Sequence, residues 1–176
     1  MSWFSVDVES DGPAPGPDLY SMTVIGACLV KDPNQGFLGY LRPISENWIP
    51  EAQAISGFTR EEALEFPDPR TTMAAFSAWV KETNEPGTHP VFTSDNNGYD
   101  WMFTCWYLWQ FTGDNPFGFS SKNINNLWQG MQRDAFASPR HLAITKHDHN
   151  PLHDARGHAE ALAQMIDNFE LKVKNL

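Results

Sequence analysis

Predicted strands lie mainly in the first quarter of this sequence, and predicted helices make up most of the rest. Apolar runs bounded by turn residues predict strands at residues 3–8, 21–30, 36–44 and 90–94. Helical spacing predicts helices at residues 70–83, 99–111, about 123–131 and 151–172, with a possible short helix in EEALEF. This order of elements indicates an α/β fold, a mixed β-sheet flanked by helices. Because the chain has 176 residues, we expect a single domain, 1–176.

The charge balance restricts how this chain can meet nucleic acid. Lys and Arg total 12 against 22 Asp and Glu, which gives a formal net charge of −10. Electrostatic binding along a polynucleotide needs many cations that neutralise phosphates, so we do not expect that mode here. A site that grips a few nucleotides through bound metal ions is still compatible with this charge.

Sequence signals favour a soluble cytoplasmic protein. The start MSWFSVDVES lacks a basic region followed by an apolar one, so we expect no signal peptide. The longest nearly apolar run, residues 101–111, is too short to cross a membrane. Cys28 and Cys105 lie in apolar segments, which is typical of small buried side chains in a reducing compartment.

The first acid pair, Asp7 and Glu9, lies within the segment WFSVDVES. Residues i and i+2 of a strand point to the same face, so the two carboxylates are neighbours. They are either solvated acids on an edge strand or ligands of a cation that relieves their repulsion.

The second acid cluster follows the strand at 90–94, in the segment SDNNGYDWMF. We expect residues 95–98 to form a turn and Asp100 to open the aromatic helix. Asp95 is compatible with an ordinary turn residue, and Asp100 with a favourable acid at a helix N-terminus.

The third cluster contains five of the six histidines, between residues 141 and 158. Asn150 and Pro151 predict a helix start, with Asn150 as N-cap. His149 then lies just before the helix and Asp154 in its first turn, where the helix end favours an ionised carboxylate. His149 can exchange a proton near neutral pH. For His147, His153 and His158 we expect only a solvated polar role.

Taken in order, D-x-E on a first strand, N-x-x-Y-D after a later strand and H-x-x-x-x-D at the last helix resemble the DEDDh exonucleases. These are DnaQ-like or RNase T-like 3′–5′ exonucleases with an RNase H-like fold. The resemblance spans nearly the whole chain, and the segment NPFGFSSKNINNLWQGM at 115–131 is most similar to a bacterial and phage branch of small exoribonucleases. AISGFT at 54–59 is similar to the family's HGIT-type loop, with Ser56 in place of the usual histidine.

This resemblance implies two divalent cations, Mg²⁺ with Mn²⁺ as a possible substitute, held by Asp7, Glu9, Asp100 and Asp154. Hard oxygen ligands suit these ions. His149 would take the proton of the attacking water, and the 3′-terminal nucleotide would leave as a 5′-monophosphate.

The expected substrate is a single-stranded nucleic-acid 3′ end or overhang, RNA rather than DNA. The candidate substrate contacts are Phe58, Tyr99, Asn96 and Gly12, because aromatic faces stack on bases and backbone near Gly12 can meet a ribose. Lys146 and Arg156 are candidates for phosphate contact or for solvent exposure. Trp101, Trp106 and Trp109 are expected in the core, with a homodimer interface as the alternative.

Three other functions remain open from the sequence. They are a 3′–5′ DNA exonuclease, an HD-type or zinc phosphohydrolase built on the histidine-rich segment, and an inert nucleic-acid-binding module. The strand-rich first third argues against HD domains, which are helical throughout.

Overall fold

The protein is built around a five-stranded sheet, seen in a computed structural model that describes residues 1–173. The strands are β1 (Trp3–Ser10), β2 (Met22–Leu29), β3 (Gly36–Tyr40), β4 (Val91–Ser94) and β5 (Ser121–Asn123). Their spatial order is β3-β2-β1-β4-β5. Strand β2 runs antiparallel to β1 and β3, whereas β4 runs parallel to β1 and β5. The predicted mixed sheet is confirmed, with β1 at its centre. The predicted domain 1–176 extends three residues beyond the described range.

The largest differences from the sequence prediction are in two strands. Strand β3 ends at Tyr40 rather than at residue 44, because Pro43 has no backbone N–H with which to continue a ladder. Strand β5 was not predicted, since its three residues, Ser121–Asn123, are polar and carry no alternating pattern.

Within residues 1–173, six α-helices flank the sheet. They are α1 (Pro50–Ile55), α2 (Arg60–Leu64), α3 (Pro69–Thr83), α4 (Asn97–Thr112), α5 (Ile124–Gln132) and α6 (Pro151–Asn168), with a 3₁₀ turn at Arg140–Leu142. Helix α1 was not predicted. The expected turn at 95–98 is wrong in its second half, because Asn97 already belongs to α4. The predicted cap of α6 is confirmed: Asn150 accepts the backbone N–H groups of Leu152 and His153.

The two faces of the sheet bury different helices. Phe4, Val6 and Val8 of β1 pack with residues of α3 and α4 in one apolar cluster. The other face carries a second cluster in which Cys28 packs with residues of α5 and α6. Asp7 and Glu9 alternate with the first set along β1, so they lie on the face that α6 covers.

Helix α4 is less buried than its composition suggests. Trp109 is 55% exposed, so its predicted core position is wrong, whereas Trp101 packs edge-on against the buried Phe92 ring. Cys28 is buried as predicted, but Cys105 is only partly buried. Among residues 1–173, no helix combines the length and apolar character needed to cross a bilayer.

Candidate active site

A glycine in β2 allows helix α6 to pack closely against the sheet at β1, the strand that carries Asp7 and Glu9. Gly26 of β2 pairs opposite Asp7 of β1. A Cβ atom on Gly26 would lie 2.2 Å from the backbone nitrogen of Leu152, at the start of α6. Only a residue without a side chain allows this approach. This close approach places Asp154 on the face of β1 that bears Asp7 and Glu9. Asp154 lies in the first turn of α6 and is 2% exposed.

Three of the predicted acids meet at this point. Asp7, Glu9 and Asp154 each offer a carboxylate oxygen, and these atoms lie within 4.8 Å of one another. Asp100, in the first turn of α4, is 2% exposed; its charge raises the pKa of Asp7, but it is not one of the carboxylates that meet within 4.8 Å. Its Oδ2 atom has no hydrogen-bond partner among the described residues. Acids that are distant in sequence therefore converge at one place.

The acids strongly perturb one another. Burial, followed by the charges of Asp100, Glu9 and Asp154, raises the pKa of Asp7 well above its ordinary range. Burial and then the charges of Asp154 and Asp100 raise the pKa of Glu9 to about 8. Burial and the charge of Asp95 raise the pKa of Asp100 to about 7. Without a cation, the cluster therefore holds protons at a pH at which isolated carboxyls are ionised.

His149 is tied to this cluster through its backbone. Asp154 accepts the backbone N–H of Asp148 at 3.0 Å and that of His149 at 3.2 Å. His149 has a left-handed backbone, with φ of 62°. Its ring remains half exposed, and Nδ1 lies 3.6 Å from Oε1 of Glu9. The imidazole thus stands at the rim of the acid cluster, open to solvent.

Helix α6 restrains the segment before it at a second point. The Glu160 carboxylate accepts the backbone N–H groups of Ile144 and Thr145, each at 2.7 Å, and the Thr145 hydroxyl at 2.8 Å. The segment from Ile144 to His149 is therefore fixed at both ends to one helix.

Phe58 and His149 face the same pocket. This pocket, of about 230 Å³, also contains Ser56, which replaces the histidine of the HGIT-type loop. The Phe58 ring packs edge-on against Tyr40 and Phe66 and is partly exposed. An aromatic face and an imidazole thus border one concave surface.

The other predicted substrate contacts are placed differently. The hydroxyls of Tyr99 and Ser10 are hydrogen-bonded to each other. Burial raises the pKa of Tyr99 to about 12, so the phenol stays neutral. Gly12 is buried, and a Cβ there would lie 2.2 Å from the ring of Tyr20. Asn96 is exposed at the N-cap of α4 and makes no side-chain cap bond.

Comparison with known proteins decides the family. No protein-family model matches the chain. The 3′–5′ DNA exonuclease Cap18 of Escherichia coli is 37% identical over 178 residues, which covers 97% of this chain and 94% of Cap18. The nuclease domain of 3′hExo, a DEDDh family member bound to rAMP, superposes with a TM-score of 0.75. The chain belongs to the DEDDh family of 3′–5′ exonucleases.

The solved structures share the fold with this chain at low sequence identity. For 3′hExo the identity is 14%, with 99% of this chain and 96% of that one covered. Cell-death related nuclease 4 (CRN-4) has a TM-score of 0.72 and 15% identity, covering 94% of this chain and 64% of its own. Exonuclease I of Escherichia coli, in complex with a dT13 oligonucleotide, has a TM-score of 0.71 and 14% identity, covering 96% and 41%.

The acid cluster of this DEDDh exonuclease fits a divalent cation. Its donors are carboxylate oxygens, the ligands that hard cations prefer. The unpartnered Oδ2 of Asp100 and the raised pKa values of Asp7 and Glu9 are the features that a bound positive charge would relieve.

Sequence reasoning missed three side chains beside this DEDDh centre. His147 Nδ1 lies 2.8 Å from Oδ2 of Asp154, and His158 Nε2 lies 3.4 Å from Oδ2 of Asp95. The prediction that His147 and His158 are only solvated is therefore wrong. Asp95 lies in the predicted turn, but it is more than an ordinary turn residue because it also pairs with His158. The spacing of Asp154 and His158, four residues apart on one helix face, was the available signal.

The two candidates for phosphate contact, Arg156 and Lys146, lie in different environments. Arg156 donates from Nε to the carbonyl of Pro33, in the β2–β3 turn, which accounts for the side chain structurally. Lys146 is exposed and lines a pocket next to Asp154. His153 pairs with Asp148 at 2.9 Å at the surface, as expected for a solvated residue.

Proposed function

We propose that this chain is a two-cation 3′–5′ exonuclease that removes nucleoside 5′-monophosphates from single-stranded 3′ ends. The observation that supports it best is the convergence of Asp7, Glu9 and Asp154 within 4.8 Å of one another, with Asp100 beside Asp7. Such a donor set serves in-line displacement at a phosphodiester.

Asp7, Glu9, Asp100 and Asp154 are the proposed ligands of two Mg²⁺ ions, for which Mn²⁺ can substitute. When bound, such ions stabilise the charge on the attacking and leaving oxygens. The charges of Asp100, Glu9 and Asp154 all raise the pKa of Asp7. Asp7 is therefore the carboxylate that we propose both cations would share.

His149 is the proposed proton acceptor. Its exposed ring can reach a water molecule in the cleft. The hydrogen bond from its backbone N–H to Asp154 fixes the position of the residue and therefore of the ring. Imidazole is suited to accept this proton near neutral pH. Its position 3.6 Å from Glu9 puts the acceptor beside one of the proposed ligands.

The terminal nucleotide is proposed to enter the pocket that Phe58 and His149 line. The partly exposed Phe58 ring offers a stacking face that accepts any base. Tyr99, Asn96 and Gly12 remain proposed contacts, and the backbone around Gly12, which is buried, is the proposed contact to the sugar.

The sugar preference has two candidates. RNA is the prediction from the sequence. The Escherichia coli relative, however, is named a DNA exonuclease and aligns over nearly the whole chain, which favours DNA as the second candidate. RNA and DNA oligonucleotides of matched sequence, digested side by side, decide between them.

The decisive experiment measures release of mononucleotides from a labelled single-stranded oligonucleotide with Mg²⁺, with and without chelator. Asp7→Asn should abolish release while the fold persists, because the change removes one repelling charge. Asp167→Asn, an exposed acid near the end of α6, is the matched control and should remain active. Full activity of Asp7→Asn would exclude this function. Binding without any hydrolysis by the unmodified protein would instead favour the inert binding module.

The HD-type alternative does not fit the fold. Its domains are helical throughout, whereas this chain has a five-stranded sheet. A zinc hydrolase would require activity restored by Zn²⁺ but not by Mg²⁺, which the same assay measures.

A homodimer and a cytoplasmic location remain predictions. An open groove lined by Ala14, Pro15, Trp101, Trp106 and Trp109 offers an apolar surface. Sedimentation velocity tests the dimer, and a monomer at every concentration would remove it.

A further inference from the structure

A second ligand cluster adjoins the four proposed acids. Asp7, Asp95 and His158 each offer one ligand atom, and these atoms lie within 4.8 Å of one another. The Asp95 and His158 side chains are only 16% and 14% exposed. Both line a pocket of about 250 Å³ that also contains Arg140 and Lys146 and has no lining residue in common with the Phe58 pocket.

The fold dictates this juxtaposition. Ser5 of β1 pairs with Thr93 of β4 in parallel register. Two residues further on, Asp7 and Asp95 therefore lie side by side and point to the same face. His158 follows Asp154 by four residues on α6, so it meets these acids one helical turn along.

A structural role does not account for His158. Its Nε2 atom contacts Asp95 at 3.4 Å, which is long for a charge-assisted hydrogen bond. Its Nδ1 atom is buried and lacks a hydrogen-bond partner among residues 1–173. Histidines that serve packing normally satisfy their buried nitrogens. Nearby, the buried Oδ2 atom of Asp100 is also without a partner in the described range.

The donor chemistry of this cluster differs from that of the four acids. Asp95 contacts His158, and a carboxylate oxygen of Asp7 lies within 4.8 Å of the ligand atoms of both. Two carboxylates and one imidazole form a mixed oxygen and nitrogen set. Mg²⁺ strongly prefers oxygen ligands, whereas divalent first-row transition-metal ions also bind mixed nitrogen and oxygen sites, with an affinity that rises from Mn²⁺ to the later ions.

We propose that Asp7, Asp95 and His158 form a cation subsite that binds Mn²⁺-like transition-metal ions in preference to Mg²⁺. The subsite shares Asp7 with the proposed catalytic centre and rests on the proposed function only through that carboxylate. It makes the metal preference of this chain depend on a histidine outside the five predicted site residues.

The test measures Mn²⁺ binding by the full chain in the absence of nucleic acid. Loss of the free Mn²⁺ signal in electron paramagnetic resonance gives the affinity, and pulsed measurements detect nitrogen bound to the ion. His158→Gln should weaken Mn²⁺ binding by about tenfold or more and remove a nitrogen coupling. Competition between Mn²⁺ and Mg²⁺ should show that His158→Gln lowers the affinity for Mg²⁺ much less than the affinity for Mn²⁺.

Two further variants make the result unambiguous. His153→Gln is the matched control on the same helix, because His153 pairs with Asp148 at the surface; its Mn²⁺ affinity should equal that of the unmodified protein. Asp95→Asn, which keeps the side-chain shape, should reproduce the Mn²⁺ loss and serves alone if His158→Gln does not fold.

Unchanged Mn²⁺ affinity and nitrogen coupling in His158→Gln would overturn the subsite. Equal losses of Mn²⁺ and Mg²⁺ would also overturn it, since they would indicate a packing role. Because hydrolysis is not measured, these outcomes are separate from failure of the proposed exonuclease function, which an active Asp7→Asn protein would reveal.

Discussion

The Asp154 carboxylate accepts the backbone N–H of His149 at 3.2 Å. A proposed cation ligand therefore also sets the position of the proposed proton acceptor. A change at either residue is expected to affect hydrolysis by a different route.

Replacement of His149 should remove proton transfer and leave cation binding in place. Because a positioned general base typically contributes about 10²–10⁴-fold, we expect His149→Gln to lower kcat by about this factor. Single-turnover hydrolysis measures the rate, and calorimetry measures Mg²⁺ affinity. The exposed His153, changed to Gln, is the control and should keep its rate. A His149→Gln enzyme as fast as the unmodified one would remove this residue from the mechanism.

Replacement of Gly26 by Ala should disturb the seat of α6. The new Cβ would lie 2.2 Å from backbone atoms of Pro151 and Leu152, so the helix must shift. We expect a loss of about 1–3 kcal/mol in unfolding free energy, typical of overpacking, together with reduced hydrolysis because Asp154 moves. Gly130→Ala in α5 is the matched control. In the part of the chain that the structure describes, an added Cβ there meets no atom within 4 Å beyond the helix's own backbone, and the change should stabilise the helix by about 0.5–1 kcal/mol. Equal unfolding curves for the two variants would contradict the tight fit at Gly26.

The acid cluster should make the cation-free protein less stable as pH rises. The folded-state pKa values of Asp7, Glu9 and Asp100 are raised, the last two to about 8 and about 7. The folded state then binds more protons than the unfolded state above about pH 4, so stability falls as pH rises. Thermal unfolding in chelator should show a Tm that decreases from pH 5 to pH 8.

Saturating Mg²⁺ should restore the Tm at pH 8, because a cation replaces the lost protons. Asp7→Asn should have a flatter Tm profile in chelator, since one repelling charge is absent. A Tm that rises steadily over this pH range in chelator would contradict the proposed repulsion between the carboxylates of the cluster.

The buried Arg60–Asp11 pair should matter more for stability than surface ion pairs. Arg60 Nη1 lies 2.6 Å from Asp11 Oδ2, and neither side chain is more than 9% exposed. Arg60→Met should cost about 3–5 kcal/mol, because it leaves a buried carboxylate unpaired. The exposed Arg42–Asp68 pair offers the control, since Arg42→Met should cost about 0–1 kcal/mol. Urea denaturation measures both, and similar midpoints would refute the distinction.

The sequence predicted those features that local patterns encode. Helices with clear spacing and caps, such as α6 with Asn150, were found, and three acid clusters in order predicted the family. Strand β5 and helix α1 carry too few patterned residues to be detected. The role of His158 depends on Asp95, which is brought close by the parallel pairing of β4 with β1. No local pattern reports a contact of that kind.

The double attachment of the His149 segment to α6 has a consequence for how the enzyme assembles. The Glu160 and Asp154 bonds span only 5 to 16 positions, so their loop-closure entropy is small. The β1–β4 contact, in contrast, joins Thr93 to Phe4 across 89 positions. The His149 segment can therefore order against α6 through local contacts alone. The proposed cation ligands meet only when α6 also docks on β1, so the candidate site is completed by contacts between distant parts of the chain.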